Sequence, residues 1–130
     1  MIDRENLIQR ATDARENAYA PYSRFKVGAA IQTEDGSVFT GVNVENASYG
    51  LTICAERNAI FAAVTAGHAR IVAVAVVTDG AASPCGACRQ VIREFAAPDC
   101  EAFLASPDGT YRTTTLAELL PDSFGPDALE

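Results

Sequence analysis

An α/β fold, with a mixed five-stranded sheet between helices in three layers, is predicted by the element order α-β-β-α-β-α-β-β-α. Two stretches carry that prediction. Ile71 to Thr78 is a continuous run rich in β-branched apolar residues, as expected of a strand covered on both faces, which puts it at the sheet centre. Cys54 to Ala66 is helical, with alanine, isoleucine, phenylalanine and valine on nearly every side of its second half, the composition of a helix buried all round.

The remaining elements follow from local signals. Asp3 caps a first helix in which Leu7, Ile8, Ala11, Ala14 and Ala18 recur at helical spacing, and Pro21 ends it. Lys26 to Thr33 and Val38 to Val44 read as the two strands of a hairpin around the turn Glu34-Asp-Gly-Ser37. A loop with Asn46, Ser48 and Gly50 leads to the Cys54 helix, which stops at Gly67. After the central strand, a loop to Pro84 opens a helix from about Gly86 to Phe95. Cys100 to Ser106 and Tyr111 to Thr113 read as strands around Pro107-Asp-Gly, and Thr115-Leu-Ala-Glu118 has the capping-box pattern of a short last helix.

The bulk properties narrow the class. At 130 residues the expectation is one domain over 1–130, with 48% apolar and 21% charged residues, the balance of a packed globule. A formal net charge of -7 opposes a phosphate backbone, so long nucleic acid is not the expected partner. A small neutral ligand such as a nucleoside suits that charge better. The start Met1-Ile-Asp-Arg-Glu-Asn6 lacks the apolar stretch of a signal peptide, and Ile71 to Val77 is too short to span a bilayer. The four cysteines therefore read as thiols and metal ligands rather than disulfides, and a cytoplasmic location without membrane contact is expected.

The chemistry is concentrated in Thr52-Ile-Cys-Ala-Glu-Arg57 and Pro84-Cys-Gly-Ala-Cys-Arg89. They supply three thiols, Cys54, Cys85 and Cys88, and one carboxylate, Glu56. Three protein ligands and an open fourth position make a catalytic zinc site, one ion per chain, in which Glu56 can move protons to and from an activated water. The ligand-x-Glu and Pro-Cys-x-x-Cys pattern resembles the signature of zinc-dependent nucleobase deaminases, in the variant with three cysteines. All three thiols fall at predicted helix starts, where partial positive charge favours thiolate. Arg57 is a permanent cation able to hydrogen-bond a cysteine sulfur and offset the thiolate charge. The alternative is a structural zinc knuckle, for which the fourth ligand would have to come from His68, which follows a helix-ending glycine, or Cys100, which reads as a small core residue.

Asn43 and Glu45 alternate along a strand and so share a face. An amide and a carboxylate suit the hydroxyls of a ribose, or alternatively a turn-stabilising Asn43 and a solvated Glu45. Phe25 can stack on a pyrimidine or join the core. Phe124 stands in a loop-like tail.

Pro21-Tyr-Ser-Arg-Phe-Lys-Val-Gly-Ala-Ala30, Gly41-Val-Asn-Val-Glu-Asn-Ala-Ser-Tyr49 and Leu119-Leu-Pro-Asp-Ser-Phe-Gly-Pro126, together with the zinc motif, resemble the small homotetrameric zinc-dependent cytidine deaminases over nearly the whole chain. That resemblance implies hydrolytic deamination of cytidine and 2′-deoxycytidine in pyrimidine salvage, by a zinc-activated water with Glu56 as proton shuttle. It also implies that Asn43 and Glu45 bind the 3′-hydroxyl of the sugar, and that Phe25, Ala47, Tyr49 and the backbone at Ala55 line the pocket. The Ser83 and Pro84 carbonyls would receive ammonia, Arg57 would support the thiolates, and Phe124 would cover a neighbouring subunit's site. The competing readings are a deaminase of another cytosine nucleoside, such as blasticidin S, a polynucleotide editor, which the acidic balance disfavours, and a non-catalytic zinc module.

Overall fold

The computed structural model describes residues 1–129. Its sheet has the strand order β2-β1-β3-β4-β5, with β1 over Gly28–Thr33, β2 over Val38–Val42, β3 over Ile71–Val77, β4 over Ala96–Ala105 and β5 over Tyr111–Thr115. Only β3 and β4 are parallel, Val76 lying opposite Leu104; the other neighbours are antiparallel. Parallel neighbours need a long crossover, supplied here by helix α3, Gly86–Phe95.

Alternation along the strands divides the core between the two faces of the sheet. Ala30, Ala73, Ala75, Val77, Phe103 and Ala105 pack with Leu7 and Ala11 of helix α1, Arg4–Arg15. Ala29, Ile31, Val74, Val76, Ala102 and Leu104 face the other layer, formed by helix α2 (Ala55–Thr65), α3 and helix α4 (Leu116–Leu119). The mixed five-stranded sheet and the three layers are therefore as the sequence predicts, with β3 in the centre.

Two glycines set how close the helices come. A Cβ on Gly28 would lie 2.0 Å from the Ala11 carbonyl oxygen of α1, and one on Gly41 would lie 2.4 Å from the Ala59 nitrogen of α2. Both clashes are with backbone, so only glycine permits this packing. Gly41 matters most for function, because α2 begins beside the cysteine cluster described below.

Several boundaries differ from the sequence reading. Helix α1 ends at Arg15, before Ala18 and Pro21, because Tyr19 is drawn into a bridge beside Val44: its N–H donates to the Asn43 carbonyl, and Glu45 N–H donates to the Tyr19 carbonyl. The hairpin strands are shorter than expected, at Gly28–Thr33 and Val38–Val42, since the Asn43 side chain takes the Val27 N–H that a longer ladder would use. Thr78 lies one residue beyond β3, although its N–H still reaches the Ala105 carbonyl. Strand β4 starts at Ala96 rather than Cys100 and ends at Ala105. Its first residues are irregular, with a register shift between the pairs Ile71–Ala96 and Ala73–Glu101, and Pro98 there masks the strand in sequence. Strand β5 runs on to Thr115.

The Thr115 hydroxyl accepts from Glu118 N–H and donates to the Glu118 carboxylate, so α4 has the cap but not the reciprocal backbone bond of a full box. Helix α2 is covered on one side only: Ala55, Ala59, Ile60 and Ala63 are buried, while Phe61 and Val64 are 46% and 42% exposed. The all-round burial expected for it is not achieved within one chain.

Candidate active site

Helices α2 and α3 present their N-termini to each other. Cys54 is the N-cap residue of α2 and Cys85 that of α3, both with extended backbone, and Cys88 lies in the first turn of α3. Neither cap sulfur accepts a backbone N–H of its own helix, which leaves both to face a common point. The three sulfurs lie within 4.8 Å of one another, and among the described residues this is the one such set of metal-ligand side chains.

The distances fit zinc. Cys54 and Cys85 sulfurs are 3.8 Å apart. A disulfide would hold them at about 2.05 Å. Two sulfurs tetrahedrally placed at about 2.3 Å from one zinc are about 3.8 Å apart. His68 and Cys100 stand outside the cluster. The His68 ring packs 5.3 Å from Phe39, with Nδ1 3.5 Å from the Asp35 carboxylate. Cys100 is buried in β4, its thiol pushed up to about 12 by burial. The fourth direction at the sulfur cluster thus has no histidine or cysteine to fill it.

The electrostatics favour anionic sulfur. The Cys54 thiol is lowered to about 5, first by the hydrogen bond from Cys88 and, against the cost of burial, by those from Arg57 and Cys85. Cys88 is raised in turn, since it keeps the proton that it shares with Cys54 and is buried. Arg57 Nη2 donates to Cys54 Sγ at 3.4 Å.

Glu56 is 4% exposed in the first turn of α2. Burial pushes its carboxyl up to about 7, and the Cys54 charge adds to the rise. A carboxyl in that range can both give and take a proton near neutrality.

Cys54, Cys85 and Glu56 line a cavity of about 250 Å³ together with Phe25, Asn43, Glu45, Thr52, Thr78 and Ser83. Larger grooves, among them two of about 540 and 560 Å³, lie elsewhere without a set of metal-ligand residues. Of the substrate positions expected from sequence, the cavity gathers Phe25, Asn43 and Glu45. It does not reach Ala47, Tyr49, Ala55 or Phe124 within this one chain. Tyr49 is 75% exposed and packs 6.0 Å from Tyr22 in an adjoining groove that Glu45 and Thr52 share. Ala47 is an exposed loop residue and Ala55 is buried as the first residue of α2. The Phe124 ring is exposed, its carbonyl held by Gln90. The Pro84 carbonyl accepts from Arg89 Nε at 2.7 Å, and Arg89 Nη2 donates to the Ser83 hydroxyl.

The side-chain atoms of Asn43 and Glu45 also hold neighbouring backbone. Asn43 Nδ2 donates to the Phe25 carbonyl at 2.8 Å and its Oδ1 accepts from Val27 N–H at 2.9 Å. Sequence reasoning singled out neither Ser23, Thr52 nor Thr78 among the lining residues. For Ser23 the available signal was its place two residues before Phe25.

Comparison with known proteins gives a consistent pattern. Residues 1–103 match the family model of the cytidine and deoxycytidylate deaminase zinc-binding region. The chain is 52% identical over 125 residues to a cytidine deaminase of Halalkalibacterium halodurans, covering 95% of each chain. It is 47% identical over 131 residues to a cytidine deaminase of Mycobacterium tuberculosis, covering 98% of this chain and 94% of the other. The crystal structure of a cytidine deaminase from Burkholderia pseudomallei superposes with a TM-score of 0.90 at 53% identity, over 95% of this chain and 100% of that one.

Proposed function

The chain belongs to the cytidine and deoxycytidylate deaminase family, and we propose that it hydrolyses cytidine and 2′-deoxycytidine to uridine and 2′-deoxyuridine with release of ammonia. The observation that carries this reading is the buried Glu56 carboxyl in the same cavity as the cysteine cluster.

Cys54, Cys85 and Cys88 would hold a zinc ion, which when bound would supply Lewis-acid activation of water at neutral pH. The chain's own residues do the rest. Glu56 takes one proton of the attacking water and delivers it to ring N3 as the oxygen bonds C4. It then passes the second proton to the exocyclic amine, and the C4–N bond breaks to release ammonia. Water's two protons are thus accounted for, one on N3 of the product and one on ammonia. Phe25 stacks on the base, and Asn43 and Glu45 engage the sugar 3′-hydroxyl. Ala47, Tyr49 and the Ala55 backbone border the bound nucleoside. Arg57 offsets the thiolate charge.

Residues 1–130 work as one domain and assemble as a homotetramer, in which Phe124 covers a neighbour's pocket. Phe61 and Val64, exposed one turn apart on α2, and the exposed Phe124 ring are the apolar groups that this assembly would cover. The net charge of -7 suits a neutral nucleoside better than a polynucleotide. No helix among the described residues is long and apolar enough to cross a membrane. The role we propose is pyrimidine salvage, in the cytoplasm.

The test is Glu56→Gln. Uridine formation is expected to fall by at least a hundredfold, about 2.7 kcal/mol of barrier, while zinc content is unchanged. A variant retaining a tenth of wild-type turnover would sink the assignment of Glu56.

A further inference from the structure

One surface segment beside the cavity is held almost wholly by polar bonds. Residues 21–26 are all exposed, so packing does little to fix the strap that carries Phe25. Arg24 within it adopts φ of +60°, a left-handed conformation that costs a non-glycine residue and needs neighbours to hold it. Arg24 N–H donates to the Ala20 carbonyl at 3.0 Å and Arg15 Nε to the Lys26 carbonyl at 2.9 Å; the remaining bonds come from the cavity side. Glu45 Oε1 accepts from the N–H groups of Tyr22 at 2.9 Å and Ser23 at 3.2 Å. The Ser23 hydroxyl donates its single proton to Glu45 Oε2 and accepts from Phe25 N–H at 3.0 Å. Asn43 holds the far end through the Phe25 carbonyl and the Val27 N–H.

Among the described residues Ser23 is thus the one side chain bonded both to the Glu45 carboxylate and to the Phe25 backbone, and it lines the cavity with both. We propose that Ser23 is a positioning residue of the nucleoside pocket, setting the Glu45 carboxylate and the Phe25 ring in one fixed relation. This rests on the deaminase reading above, in which Glu45 meets the sugar and Phe25 the base.

The hydroxyl has a definite orientation, because its proton is committed to Glu45 and a lone pair to Phe25 N–H. With Oε1 already taking two N–H groups and Oε2 taking Ser23, Glu45 is left with acceptor capacity on Oε2. It is therefore set to accept from a sugar hydroxyl and not to donate. The Ser23 bond is also the foremost reason that the Glu45 carboxyl sits below its usual range. The other titratable groups of the cavity and adjoining groove are Cys54, Glu56, Cys85, Tyr22 and Tyr49. Ser23→Ala leaves all of them in place.

The experiment compares wild type, Ser23→Ala and Ser23→Thr. Losing a hydrogen bond to a charged group is expected to raise the cytidine KM of Ser23→Ala roughly tenfold, with kcat within about twofold. Zinc content should stay at the wild-type value and Tm should fall only slightly, since the Ser23–Glu45 bond lies on an exposed strap outside the core. Ser23→Thr, which keeps the hydroxyl, should restore most of the KM. Independently of turnover, the Glu45 carboxyl carbon, followed by NMR, should titrate at higher pH in Ser23→Ala than in wild type. A KM within twofold of wild type with an unmoved Glu45 titration overturns the proposal. So does a joint loss of kcat, KM and Tm that threonine fails to rescue, since that is a merely structural role. If wild type makes no uridine, the deaminase reading fails, and the Glu45 titration still decides whether Ser23 sets that carboxylate.

Discussion

Arg57 reaches back along α2 to place Nη2 3.4 Å from Cys54 Sγ, while its Nε is buried without a hydrogen-bond partner among the described residues. An arginine that gives up one donor's hydration is held there by charge, and the thiolate tendency of Cys54 supplies it. Three thiolates on one divalent zinc would otherwise leave a net negative centre.

Removing that cation should therefore damage chemistry more than binding. Arg57→Ala is expected to lower kcat about tenfold or more, roughly 1.4 kcal/mol, with cytidine KM changed little, because the substrate is neutral. Steady-state kinetics beside zinc analysis check this. An unchanged kcat with zinc still bound would remove Arg57 from the proposed mechanism.

The cluster geometry makes Cys85 and Cys88 equal in consequence though not in exposure. Either alanine variant should lose zinc, and with it the metal's contribution to stability, so that Tm falls and a chelator no longer lowers it further. One zinc per chain in Cys85→Ala would contradict the ligand assignment.

Cys100 provides the contrast and a pH test. Its thiol is raised from 9.0 to about 12 by burial in β4, so the folded chain holds this proton more tightly than the unfolded one. Its contribution to stability is whole below pH 9 and is lost as pH rises from 9 towards 12, at up to about 1.4 kcal/mol per pH unit. Cys100→Ala should keep its zinc and lose stability less steeply than wild type above pH 9, as chemical denaturation at stepped pH would show. Parallel stability curves would mean that burial does not raise the Cys100 thiol above its unfolded value.

Phe124 tests the assembly. Gln90 holds its carbonyl, and Arg93 bonds both Ser123 at 2.9 Å and Asp127 at 2.8 Å, so the tail is pinned to α3 while the ring faces out. Phe124→Ala should raise cytidine KM several-fold with zinc content intact. Mixing Glu56→Gln subunits with Phe124→Ala subunits should then recover activity, because an intact site can borrow its ring from a neighbour. A fully active monomer by light scattering would rule out both the tetramer and the shared pocket.

Much of this was legible in sequence because it depends on local pattern. The run Ile71 to Val77 marks the central strand by composition, and Cys54, Cys85 and Cys88 mark a metal cluster by spacing. What stayed hidden depends on contacts far apart in the chain. Tyr19 looks helical until Asn43 and Glu45 draw it into a bridge. Pro98 conceals the start of β4 because the register shift that tolerates it belongs to β3 as much as to β4. Gly28 and Gly41 read as ordinary strand residues, and only the seating of α1 and α2 shows why no Cβ fits. Ser23 carried no chemical signature of its own. Its importance comes from meeting Glu45 and Phe25 at once.

The most direct measurement is a zinc titration of the metal-stripped chain, following cytidine loss and the uridine and ammonia formed. Activity is expected to be absent without metal and to rise linearly to a break at one zinc per chain, with uridine and ammonia appearing in equal amounts. Uridine formation at full rate by the stripped chain, or none at full zinc occupancy, would contradict zinc-assisted deamination at Cys54, Cys85 and Cys88.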